Sequence, residues 1–111
     1  MKAYTDLEQS KVLSKILPIE SADMFYRNNG IDVKLMWEHN ASKVESPCWS
    51  LAALLSVLPN GTDIVKEEAD TENEHYMCTV AIKYDIISTF GKNPIDACYQ
   101  IFIKLHKLKM L

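Results

Sequence analysis

The chain has 111 residues, of which 12 are basic and 15 acidic, giving a net charge of −3 with 48% apolar residues. These figures fit one domain, residues 1–111, large enough to bury a core of its own. They argue against a general nucleic-acid binder, which needs a basic stripe to displace counterions from phosphates. The 3 glycines and 4 prolines argue against a low-complexity chain.

The first element is expected to be a helix, roughly Asp6–Leu17, opened by a Thr5–Glu8 capping box and ended by Pro18. Val12, Leu13, Ile16 and Leu17 share its apolar face. Met24–Arg27 then leads through Asn28-Asn29-Gly30, residues that tolerate positive φ, into an alternating return strand, Ile31–Glu38. His39–Glu45 is polar and reads as a loop.

A second helix is expected with Ser46 as its cap and Pro47 in first position, running to Leu58 before Pro59-Asn60-Gly61. It is apolar on nearly every side, so Leu51, Leu54, Leu55 and Leu58 are assigned to the main core. Ile64–Glu68 reads as a short edge strand and Asp70–Glu74 as an acidic turn. His75–Tyr84 alternates, with Tyr76, Cys78, Val80, Ile82 and Tyr84 on one face and Met77, Thr79, Ala81 and Lys83 on the other. Ile86–Phe90 reads as a further strand closed by Gly91. The last helix takes Asn93 as cap and Pro94 in first position, with Cys98, Ile101, Phe102, Leu105 and Leu108 as its core stripe. Ile103 falls on its polar face.

The order α-β-β-α-β-β(-β)-α predicts an α+β fold: a small antiparallel sheet of about four to five strands, joined by hairpins and packed with three helices.

Two phrases, Pro47-Cys48-Trp49-Ser50-Leu51-Ala52-Ala53-Leu54-Leu55 and Asn93-Pro94-Ile95-Asp96-Ala97-Cys98-Tyr99, together with Lys2–Asp6 and Glu20–Met24, resemble short uncharacterised proteins of phages, prophages and mobile elements of gut bacteria. A weaker resemblance is to small phage proteins with an α-β-α sandwich. The resemblance implies a context and carries no activity, so it assigns no functional residue.

The chemistry-bearing residues are sparse. Cys48, placed near a helix start, is where backbone N–H groups would lower a thiol pKa, but a nucleophile also needs an oriented base, and His39, His75 and His106 are not placed beside it by the sequence. Packing is the favoured reading for Cys48, as for Cys78 and Cys98. His75 and Cys78, three apart on a strand, point to opposite faces. Asp70, Glu72 and Glu74 alternate like calcium-loop ligands, but lack the glycine and the closing glutamate. No glycine pattern cradles a phosphate. No catalytic residue, metal, cofactor or disulfide is therefore expected.

The longest apolar stretch, Pro47–Pro59, falls short of the roughly 20 residues a membrane span needs. The polar N-terminus and odd cysteine count lead to the expectation of a cytoplasmic protein. The favoured function is a non-enzymatic accessory or interaction protein whose partner is a host or phage protein. Trp49 and Ile103 are the candidate interaction residues. The rival is a small-molecule binder or small enzyme with a pocket between sheet and helices. The apolar second helix and Ile103 also lead to the expectation of a homodimer with helices packed across a two-fold axis.

Overall fold

The computed structural model describes residues 2–27, 30–33, 46–67 and 75–110. Three helices and six strands among them form the expected α+β fold. The strands divide between two antiparallel sheets of three rather than forming one sheet.

Helix α1, Leu7–Leu13, is shorter than expected and is capped one residue later. Asp6 accepts from the Gln9 amide at 2.8 Å, and the Gln9 side chain accepts from the Asp6 amide at 3.1 Å. Thr5, expected as the cap, is fully buried and its hydroxyl is engaged elsewhere. Its hydroxyl shares a 2.7 Å hydrogen bond with Ser10 and accepts from the Trp49 amide at 3.2 Å. Val12, expected inside, is exposed, while Leu13 and Leu17 enter the core.

The first sheet has the order β2-β1-β3, from β1 (Met24–Arg27), β2 (Gly30–Val33) and β3 (Ser46–Cys48). The β1–β2 hairpin is as expected, with Arg27 opposite Gly30. Its turn, the strand beyond Val33 and the 39–45 loop lie outside the described residues. Ser46 and Pro47 do not open a helix. They belong to β3, where Pro47 faces Phe25. Proline suits this place because β3 is an edge strand among the described residues and needs no N–H on its outer side.

Ser50 is the cap of helix α2, Leu51–Val57; its hydroxyl accepts from the Ala53 amide at 3.2 Å. The change of cap leaves a short amphipathic helix instead of one buried all round. Leu54 and Leu58 are core residues and Leu51 packs against them, but Leu55 is 38% exposed, contrary to its core assignment.

The second sheet has the order β4-β5-β6, from β4 (Asp63–Lys66), β5 (Tyr76–Ile82) and β6 (Asp85–Gly91). The Lys83-Tyr84 turn joins β5 to β6, with Lys83 at φ 56°. Helix α3, Pro94–Lys107, lies against this sheet. The Asn93 side chain accepts from the Asp96 amide at 2.9 Å, as its capping role requires. The inner sheet face (Cys78, Val80, Ile87) meets Ile95, Cys98, Ile101, Phe102 and Leu105 in one core with Trp49 and Leu54. Leu108, expected in that stripe, is the C-cap residue and is 51% exposed.

Candidate interaction surface

The two candidate interaction residues part company. Trp49 is fully buried, and its indole N–H donates to the Ser21 hydroxyl at 2.9 Å. A side chain with no exposed area offers nothing to a partner, so Trp49 is a core residue. Ile103 is half-buried on α3. It lines a shallow, open depression with Thr89 of β6 and with Gln100, Lys104 and Lys107 of α3.

Cys48 is not at a helix start. It lies on β3, fully buried, and its thiol donates to the Thr5 carbonyl at 3.3 Å. Burial pushes its pKa up, against the hydrogen bonds around it, which favours the neutral thiol. The Tyr26 hydroxyl donates to the same carbonyl at 2.7 Å, and burial pushes the Tyr26 pKa up to about 12. Cys78 and Cys98 meet across the β5–α3 interface with sulfurs 3.8 Å apart. All three are free thiols. No cluster of metal-ligating side chains occurs among the described residues. Asp70, Glu72, Glu74 and His39 lie outside them.

A polar clasp joins the N-terminal segment to the start of α3. Lys2 Nζ lies 2.9 Å from Asp96 and 3.0 Å from Asp6. The Gln9 and Asn93 amides also donate to the Asp96 carboxylate, at 2.9 and 3.0 Å. Partial burial alone would raise the Asp96 pKa. The hydrogen bonds from Gln9 and Lys2 outweigh it and hold the carboxyl below its ordinary 3.8. A depressed carboxylate stabilises the fold above its unfolded pKa, and that stability is lost as pH falls through the folded value. Asp96→Asn is therefore expected to cost about 1 kcal/mol at pH 7, since the site is partly exposed. The difference from the parent protein should narrow in urea titrations as the pH is taken progressively below the ordinary carboxyl value of 3.8; a gap unchanged in acid would contradict the role of the charge.

The surface that stands out is one the sequence reading did not single out: the outer face of the second sheet. Register sets Val65, Met77 and Phe90 in one cross-strand row, and Ala81 beside Ile86 in another. Between them the Thr79 and Ser88 hydroxyls share a 2.9 Å hydrogen bond. Val65 is 46% exposed, Phe90 42% and Ile86 76%, and Tyr84 stands fully exposed at the turn. The signal was present in Ile86-Ile87, adjacent apolar residues that must point to opposite sides of one strand.

In comparisons with known proteins, no family model, curated protein or solved structure matches the chain. Among the described residues, no helix is long and apolar enough to cross a membrane.

Proposed function

We propose that the chain works by binding protein rather than by catalysis, as an accessory protein of a phage or mobile element. The observation that carries this reading is the outer face of the second sheet. Val65, Met77 and Phe90 make one apolar row and Ala81 and Ile86 another, on either side of the Thr79–Ser88 pair, where an ordinary antiparallel sheet presents mainly polar residues to water. Exposed aromatic and branched apolar side chains gathered on one face mark contact sites more often than scattered ones do. The phage and mobile-element context is supported by the resemblance of the Pro47–Leu55 and Asn93–Tyr99 phrases.

A photo-crosslinking amino acid at Ile86, in the full chain expressed in cells, tests the reading. Protein adducts should form there and not from the same group at Val12, an exposed position on α1. Absence of an adduct at Ile86, or equal adducts at both positions, would overturn it.

A further inference from the structure

We infer that a second copy of the chain joins this sheet by antiparallel pairing of the two β6 edges across a two-fold axis. The inference goes beyond the protein-binding reading above: it concerns the edge of the sheet, and the paired sheets leave the outer face open.

The two edges of the second sheet differ. The β4 edge carries Asp63, Lys66 and Glu67, the charges that ordinarily keep an edge from pairing. From Ile86 to Gly91, β6 carries no charge. Among the described residues it pairs only with β5, so alternate N–H and C=O groups along it face outward. The uncharged stretch Ile86–Gly91 of this edge, beside an apolar face, is a template for another uncharged strand.

The sequence of β6 complements itself when reversed. It begins with Asp85 and is followed by Lys92. Antiparallel pairing brings the acid of each copy to the end where the other carries its base. With the axis at Ser88, Ile86 of each copy stands opposite Phe90 of the other, a branched–aromatic pair of the kind that stabilises sheets. Both residues lie on the outer face, so on that face two apolar pairs flank the central Ser88 pair at the junction. An axis perpendicular to the sheet keeps both α3 helices on the same side. Thr89 faces that side, since its hydroxyl donates to the Ala97 carbonyl at 2.7 Å. Thr89 and Ile103 line one depression, so the half-exposed Ile103 flanks the same edge. The strand edge, the Ile86–Phe90 pairs and Ile103 thus form one self-facing patch, as a two-fold interface requires.

Light scattering after size exclusion of the purified full chain tests the inference. The expected species has twice the 12.7 kDa chain mass. Ile86→Lys and Phe90→Lys, at exposed positions, should each weaken the dimer at least tenfold while leaving the circular dichroism of the fold unchanged. Val65→Lys, on the same face but the opposite edge strand, should leave it dimeric. Hydrogen exchange gives a second reading without substitution: amides of Ile86–Gly91 should gain protection as protein concentration rises. A chain that stays monomeric at millimolar concentration overturns the inference, as does a dimer broken by Val65→Lys and spared by Ile86→Lys. If the chain is monomeric while Ile86 still yields adducts with a different protein, the self-pairing falls and the protein-binding reading stands.

Discussion

Trp49→Ala is expected to remove about 3–5 kcal/mol of folding stability, the usual cost of truncating a large buried aromatic. Among the described residues Trp49 is the largest fully buried side chain, in the same core as Leu54 and Phe102. Its indole N–H donates to Ser21, whose hydroxyl donates in turn to the Pro18 carbonyl at 2.6 Å. Its own backbone exchanges hydrogen bonds with Thr5: the Thr5 amide donates to the Trp49 carbonyl at 3.0 Å, and the Trp49 amide to the Thr5 hydroxyl. The substitution therefore opens a cavity and leaves Ser21 without its indole donor. For a domain of this size the melting temperature should fall by more than 10 °C, on the order of 4–8 °C per kcal/mol. Urea denaturation showing a loss below about 1 kcal/mol would place Trp49 outside the core and restore it as a surface residue.

Gly91→Ala is the second substitution expected to act strongly, for a different reason. A methyl group at Gly91 would lie 2.4 Å from the Ala97 amide nitrogen and 2.8 Å from the Asp96 carbonyl carbon. Both are backbone atoms in the first turn of α3. They cannot swing away as a side-chain tip would, so strand or helix must shift. Overpacking of this kind costs about 1–3 kcal/mol, and the upper end is expected here. The displacement should also disturb the Thr89–Ala97 hydrogen bond that fastens β6 to α3. A variant with unchanged midpoint in urea would contradict this close approach. The sequence marked Gly91 only as the end of a strand; its role depends on a helix that begins three residues later and folds back over it.

What could be read from the sequence, and what could not, follows from the range of the interactions. Asn93-Pro94 before a long amphipathic stretch is a local signal, and α3 forms as expected. The alternation of Tyr76, Cys78, Val80 and Ile82 identified the inner face of β5, because period two is intrinsic to a strand; Tyr84, assigned to the same face, falls beyond the strand in the turn and is exposed. Ser46-Pro47 carries an equally good local signal for a helix start, yet it pairs with β1, twenty residues earlier in the chain. Local preference yields there to a tertiary pairing that a single sequence does not display. Leu55 was placed in the core because the longer expected helix is apolar on nearly every side; the shorter helix that forms leaves that side exposed. Thr5 lost the cap of α1 because Trp49 and Ser10 claim its hydroxyl.

The candidate surface was less legible than the fold. Ile103 was identified because an isoleucine on a polar helix face breaks a regular pattern. Trp49 was chosen for its residue type, and the core claims it. The apolar outer sheet face depends on how three strands are registered, setting Val65, Met77 and Phe90 side by side from segments up to 25 residues apart. No local pattern contains that row.

The most direct measurement of whether this face is a contact surface is hydroxyl-radical footprinting of the full chain, in cells and as dilute purified protein. Tyr84, Phe90 and Met77 react readily with the radical when exposed, and they report on the face itself. The account predicts strong labelling of these residues in the dilute chain and marked protection in cells, with the exposed Leu108 labelled alike in both. Equal labelling of Tyr84 and Phe90 in the two settings would contradict it.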